Sequence, residues 1–530
     1  MGKVGVLVET VASPGGDVLG DSPSENVKRD RVGQIAVAGV AIVASVGLFP
    51  WLGKSMFANE GASLYSAHLS WADLWAQSRQ VDLVMLPYYV VLHFWLLVSG
   101  SIAWAHALSL FAYAGTILVV GGLGLRLAGR WCGIIAAVLT ASSTLLILKA
   151  VNARPYELSA LAVALCAAAL VQWLHDPRVR WLWVFSLLGV IATATQLFAL
   201  LAPASMLVCV LAVRPNLLAE RLRSLIAPIG TFVVVVGAWA AASVGEVGQV
   251  NWIATGSTQS RLLAEVRGPA VGQLYDLVLF VILVAVVSKL AAIWDGGVRK
   301  VVVQRIGQDR DVLALTVGWA VLPTVALSIA SFAHPIYADR YVTASAPGVA
   351  LLVAFVCVRF LPITRSTGDD PSDSRVGARW QKVLAVFGLV AVGLLTSGYL
   401  SAASALQEDL QGTAKYIALN AKPTDQIALP DHALTFAITY YLAKDKSLVP
   451  LWPQTGVQQR FVEGFDLLPG RQNVNSGKGV WLVTDGSVPG VVQFQKMLQL
   501  DHYSLVRQVQ FTGVTLLLYQ KKRHIHRVSS

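Results

Sequence analysis

Few side chains in this sequence can do chemistry away from water, and most of them gather in three short stretches. The first is FANEGASLYSAHLSWADLWAQSRQVDLVMLPYY, which begins at Phe57. Asn59 and Glu60 precede the stretch 62–76, in which Leu64, Ala67, Leu69, Ala72 and Trp75 fall near one helical face. Asp82 follows it, then Pro87, Tyr88 and Tyr89. A helix of this pattern lies along a membrane surface. Acidic residues at its two ends could offer a carboxylate base to an acceptor hydroxyl. A solvated loop with ordinary charges is the alternative reading. The second stretch runs from Lys149 through Asn152, Arg154, Pro155 and Tyr156 to Glu157. An arginine beside a membrane face can fork onto a phosphate, or can simply snorkel to the interface. The third runs from His334 through Tyr337, Asp339 and Arg340 to Tyr341. Here Asp339 and Arg340 either serve a ligand, pair with one another, or cap a helix.

These stretches sit in an apolar chain. Of 530 residues, 55% are hydrophobic and only 13% charged, with mean hydropathy +0.61. Soluble domains carry about 25% charged residues, so an ordinary cytosolic enzyme is excluded. A disordered protein needs the opposite composition. Sixteen Trp and fourteen Tyr suit a chain with many membrane–water interfaces. The net charge of +11 does not point to nucleic acid, because the basic residues are spread through short loops. Cys132, Cys166, Cys209 and Cys357 lie in apolar runs without metal-ligand spacing.

A spanning helix needs about 20 apolar residues. Residues 1–31 form a polar tail ending in Lys28, Arg29 and Arg31. The run 32–51 follows without a small-residue cleavage site and reads as an uncleaved anchor with a cytoplasmic N-terminus. Further runs lie at 103–125, 131–149, 157–174, 181–197, 198–213, 225–243, 271–292, 312–331, 341–358 and 383–403. The pair 181–213 could equally form one long helix. Basic clusters fall in every second loop, among them Arg126 with Arg130, Arg178 with Arg180, and Arg214 with Arg221 and Arg223. The loops 52–102, 150–156, 244–270 and 332–340 are poorer in Lys and Arg and are placed outside. The run 87–100 is too short to cross and would invert this parity, so it reads as a juxtamembrane or half-crossing helix. Eleven full spans result, with a catalytic outer loop at 52–102 in a membrane domain of residues 32–403. Residues 404–530 are more polar. QIALP (426–430), GVWLVTD (479–485) and VTLLLYQ (514–520) read as strands, and 408–421 and 431–443 as helices, giving an extracytoplasmic α/β domain.

Other motifs carry little. Gly47 and Gly53-Lys54-Ser55 have the wrong spacing for a P-loop and lie at a membrane helix end. Asp369, Asp370 and Asp373 read as a solvated turn, Asp431 and His432 as surface residues, and the tail Lys521–His524 as a contact for lipid headgroups.

The stretch from Asn59-Glu60 through Asp82-Leu-Val-Met-Leu-Pro-Tyr-Tyr-Val-Val-Leu-His-Phe-Trp-Leu resembles the first loop of the dolichyl/polyprenyl-phosphate-mannose–protein mannosyltransferase superfamily, membrane glycosyltransferases of the GT-C fold. Ala153-Arg154-Pro155-Tyr156 and Asp339-Arg340-Tyr341 followed by Pro347-Gly348 are similar to two further elements of it, and the C-terminal domain is similar to those of actinobacterial members. The resemblance implies a polytopic α-helical GT-C membrane protein of about 11–13 spans in the plasma membrane. It implies an inverting transfer of one sugar from a polyprenyl-phosphate donor to an acceptor hydroxyl on the outer face. The acidic loop would then hold the base. Arg154 and Arg340, with Lys149 beside them, would hold the lipid phosphate. Tyr88, Tyr89, Tyr156 and Tyr337 would line the sugar or polyprenyl pocket.

Two departures stand out. The family's first acid is Asn59 here, and an amide cannot take a proton from a hydroxyl. Glu60 or Asp82 must then serve as base, or the chain is inactive. Ala105-His106-Ala107-Leu108-Ser109 replaces an Arg-Leu-Pro-Ser stretch found in many relatives. The expected activity is mannosyl transfer to an envelope glycan or lipoglycan such as lipoarabinomannan. The alternatives are transfer to protein Ser or Thr, arabinofuranosyl transfer, and a scaffold or lipid transporter without activity. Partners would be the donor, the glycan acceptor and membrane lipids, with no nucleic acid. No resident metal is assigned, and a divalent cation is left open as cofactor.

Overall fold

A computed structural model describes residues 23–79, 82–244, 306–307, 309–333, 336–360, 408–422, 425–429, 432–442, 479–484, 489–500 and 502–521. The protein is a polytopic α-helical membrane protein with a small C-terminal sheet. Among the described residues five helices are long and apolar enough to cross a membrane, or six if one bent pair forms a single span. Four shorter apolar helices accompany them. The expected spans 271–292 and 383–403 lie outside the described residues.

Helix α1 (Pro23–Leu48) begins sooner than the apolar run, so the basic residues 28–31 belong to a helix and not to the polar tail. Proline at a first helical position sacrifices no backbone donor. The expected surface helix 62–76 is two helices, α2 (Ala58–Ala67) and α3 (Trp71–Ser78). Ser70 accepts from the Asp73 amide at 3.2 Å and starts the second one. Helix α4 (Leu86–Leu96) is only 11 residues, too short to cross a membrane. Its end is clasped to α5 (Ile102–Ala128) by two tryptophans. Trp95 Nε1 donates to the Trp104 carbonyl at 2.6 Å, and Trp104 Nε1 donates to that of Trp95 at 2.8 Å.

Gly129, with φ +81°, ends α5 and turns the chain directly into α6 (Arg130–Ala141). A side chain there would be strained. The expected span 131–149 is broken: α6 and α7 (Thr144–Ala150) meet at a bend of 60°. The cause is local. Thr140 Oγ1 donates to the Ala136 carbonyl and Ser142 Oγ to that of Val138, a type of back-bonding that bends helices. Helix α8 (Tyr156–His175) runs through the middle of the bundle. The pair 181–213 is two helices, α9 (Val179–Thr195) and α10 (Leu201–Val213), joined by a 3-10 turn over Leu197–Leu200. Helices α11 (Pro215–Ala242), α12 (Arg310–Ala320), α13 (Leu322–Ala333) and α14 (Ala346–Phe360) complete the described bundle. Trp173, Phe185, Trp319 and Phe355 are buried at its centre. Ile35, Val43, Phe111, Leu187, Val233 and Ile329 point outward, which costs nothing where the surroundings are hydrocarbon.

The two ends of the bundle differ in charge. Gly33 of α1 packs on Arg130. Asp176 pairs with Arg178 between α8 and α9, Arg214 pairs with Asp311 between α10 and α12, and Arg359 Nε lies 2.5 Å from Asp309 Oδ2. The chain reverses with each helix, so these clusters share one end, and residues 152–155 and 340 lie at the other.

The C-terminal region contributes α15 (Leu410–Asn420), β1 (Gln426–Ala428), α16 (His432–Leu442), β2 (Gly479–Thr484), α17 (Pro489–Leu500), β3 (Tyr503–Phe511) and β4 (Val514–Lys521). The sheet order is β1-β2-β4-β3, with β1 and β2 parallel and the other pairs antiparallel. Strand β3 and helix α17 were not expected from the sequence. This region shares one hydrophobic core with the first loop: Leu64, Tyr89 and Leu92 join Ile417, Leu434, Ile438 and Leu516. Helices α2 and α16 touch backbone to backbone at Gly61, where an added Cβ would stand 2.5 Å from the Ala437 nitrogen. Gly61→Val is expected to force them apart at a cost of about 1–3 kcal/mol. Thermal unfolding of the detergent-solubilised protein would register this, and an unchanged midpoint would refute the contact.

Candidate active site

The first loop and the 151–157 turn meet at the end of the bundle opposite the basic clusters. Glu60 is the third residue of α2 and only 1% exposed. Its Oε2 accepts from the Phe57 amide at 2.7 Å, closing the helix start. Its Oε1 accepts from the Ala153 amide and lies 3.1 Å from His106 Nε2. His106 is held in turn by the Leu52 carbonyl, 2.8 Å from its Nδ1. Both oxygens of Glu60 are therefore occupied by the protein itself.

Asn59, next to Glu60, is exposed. Its backbone carbonyl receives a hydrogen bond from Arg154 Nη1 at 3.2 Å, and the same nitrogen donates to Ser63 Oγ at 3.0 Å. Arg154 is thereby fixed to α2 from across the bundle. Ser109 of α5 supports the turn from beneath, donating to the Asn152 carbonyl at 2.5 Å.

Asp82 is half-buried and adopts the left-handed conformation, φ 64°, one of few residue types to do so readily. Tyr89 Oη donates to its Oδ2 at 3.0 Å. Burial and the Asp82 charge both push the Tyr89 hydroxyl well above its ordinary range, so it remains a donor. Tyr88 is wholly buried, and burial raises its hydroxyl likewise. Arg154 acts on both tyrosines and on Asp82. Burial opposes the charge of Arg154, but Tyr156, Tyr89 and Asp82 outweigh it and raise its pKa above the ordinary value.

Around Tyr156 three cations converge. Arg154, Arg340 and Lys149 all act on it electrostatically, and Lys149 Nζ stands 5.3 Å from its ring centre. Arg340 is placed by Gln196, whose Nε2 donates to the Arg340 carbonyl at 2.6 Å. Its guanidinium lies over the Tyr341 ring at 5.3 Å. Residues Asp339–Tyr341 form a 3-10 turn, and half-buried Tyr337 lies in the stretch that leads into it. The side chain of Asp339 and residues 334–335 lie outside the described residues, so the expected Asp339–Arg340 pairing does too. Among the described residues no group of three or more His, Cys, Asp or Glu is arranged to hold a metal ion.

No protein-family model matches the sequence, and no curated protein does. The chain is similar to two solved structures of ArnT from Cupriavidus metallidurans. With the apo state the TM-score is 0.48 at 15% identity, covering 91% of this chain and 97% of that one. With the form bound to undecaprenyl phosphate it is 0.45 at 15% identity, with the same coverage.

The structure thus brings Asp82, Tyr88, Tyr89, Lys149, Arg154, Tyr156 and Arg340 into one electrostatic neighbourhood. Three further residues complete it. His106, which departs from the family pattern, is the side chain that meets Glu60. Glu157 is fully buried within electrostatic reach of Lys149, and among the described residues neither of its oxygens has a hydrogen-bond partner. Gln196, which sets Arg340, carries no signal in the sequence beyond being a polar residue near the end of the apolar run 181–197.

Proposed function

We propose that the protein is an inverting glycosyltransferase that moves a sugar, mannose by the resemblance of its motifs, from a polyprenyl-phosphate donor to a hydroxyl of an envelope glycan or lipoglycan. The observation that carries this reading is a half-buried carboxylate, Asp82, within electrostatic reach of Arg154, which itself converges with Arg340 and Lys149 on Tyr156 at one end of a membrane bundle. An acid beside cations at a membrane face suits the removal of a proton from an acceptor and the steadying of a departing phosphate.

Asp82 takes the acceptor proton as the acceptor oxygen bonds to the anomeric carbon. The bond from that carbon to the phosphate oxygen breaks on the opposite side, and its electron pair leaves with the phosphate. Arg154 and Arg340 meet the growing negative charge, with Lys149 adding to the field. Tyr89 orients Asp82 through its hydrogen bond. Glu60 serves as an anchor instead of a base, since its oxygens already hold Phe57, Ala153 and His106. The basic clusters at the far end favour a cytoplasmic side there, which supports an outer position for this site and the C-terminal domain.

The test is transfer by the purified protein in lipid nanodiscs, with radiolabelled polyprenyl-phosphate mannose and a lipoglycan acceptor. Label is expected in the acceptor, with release of polyprenyl phosphate. A panel of donors bearing mannose, arabinofuranose or other sugars assigns the sugar, and no transfer from any of them would defeat the proposal. Arg154→Lys keeps the charge but loses the planar guanidinium, whose Nη1 holds both Asn59 and Ser63. It is expected to raise the donor KM about ten- to a hundredfold. An unchanged KM would remove Arg154 from the phosphate site.

A further inference from the structure

Three consecutive amides at the start of α2 are each held by a side chain. Met56 N–H donates to Tyr441 Oη at 3.0 Å, Phe57 N–H to Glu60 Oε2 at 2.7 Å, and Ala58 N–H to Glu408 Oε2 at 2.9 Å. The first amides of a helix have no partner within it. Here the two outer ones are satisfied from the C-terminal region, and the middle one by Glu60.

Glu408 is itself seated. The next residue, Asp409, donates its amide to the Thr512 carbonyl at 2.9 Å, at the turn between β3 and β4. Gly513 in that turn has φ +68°, and a Cβ there would stand 3.1 Å from Glu408 Cγ. Tyr441 projects from α16, which packs against α2 at Gly61. Tyr440 beside it donates to the Gly100 carbonyl at 2.7 Å, tying the same helix to the approach of α5.

What these bonds fix is the start of α2, and through it Glu60. The second oxygen of Glu60 holds the Ala153 amide, adjacent to Arg154, and Arg154 returns to Asn59 and Ser63 on α2. The contacts form a closed path from the β3–β4 turn to the arginine. We infer that the C-terminal domain is a positioning device for the membrane site, in which Glu408 and Tyr441 hold the start of α2 so that Glu60 and Arg154 keep their places. That Arg154 serves a donor phosphate rests on the function proposed above; the mechanical path does not.

The experiment uses the full-length protein and hydrogen–deuterium exchange on peptides covering 56–58 and 151–154. Glu408→Ala is expected to speed exchange about ten- to a hundredfold in both peptides, as loss of a bond to a charged acceptor allows. Glu408→Gln retains an acceptor oxygen and is expected to bring both peptides back near the wild-type rate. In the transfer assay, Glu408→Ala raises the donor KM more than it lowers kcat, and Glu408→Gln reverses this. Exchange that rises at 56–58 and stays unchanged at 151–154 would overturn the inference. Should Glu408→Ala fail to fold, Tyr441→Phe removes the neighbouring acceptor with no loss of ring packing, and the same two peptides decide. A protein with coupled exchange but no transfer would count against the proposed activity alone.

Discussion

Asp82→Asn is expected to lower kcat about a hundred- to ten-thousandfold, with the donor KM little changed. Asparagine tolerates the left-handed backbone that residue 82 adopts, so the fold stays intact. Its amide oxygen can still accept the bond from Tyr89. What it cannot do is take a proton from an alcohol, so the loss isolates proton removal from geometry. Steady-state transfer of labelled sugar, with a melting curve to certify the fold, is the measurement. A variant within threefold of the parent would assign the base elsewhere, and the proposed chemistry would go with it.

Glu60→Ala should act differently. It strips the acceptor from the half-buried Phe57 amide and the buried Ala153 amide, and leaves His106 without the carboxylate that faces its Nε2. Removing one partner of a buried pair costs about 3–5 kcal/mol. The expected result is a large fall in thermal stability, with activity lost as the loop loosens. Glu60→Gln keeps one acceptor oxygen and should fall between the two. If Glu60→Ala melts like the parent yet has no activity, Glu60 works by chemistry and the division of labour between the two acids is reversed.

The contrast between these acids shows what the sequence conveys and what it does not. Asp82 and Tyr89 are seven positions apart, and their pairing is local enough to suspect from spacing. Glu60 looks identical in kind, but its partner at Ala153 is 93 positions away, so its burial cannot be read from its neighbours. The apolar runs announced most of the bundle because hydrocarbon length dictates helix length. The break at Ser142 was hidden because Ser and Thr pass as mildly polar residues within such a run, while their hydroxyls bend the helix. In the sheet, β2 and β4 were legible as continuous apolar strands with both faces covered. Strand β3 lies at the edge, carries Arg507, Gln508 and Gln510 outward, and has a register shift between Leu505 and Arg507, so it lacks both a continuous apolar run and a regular alternation.

The contact between Ala58 and Glu408 also has a consequence in time. The two residues are 350 positions apart. A ribosome adding about 5–20 residues per second needs roughly 20–70 s to cover that distance. Throughout this interval the amides at the start of α2 must wait, answered only by water, for the C-terminal region to arrive. The start of α2 is therefore secured only after the C-terminal region has been made.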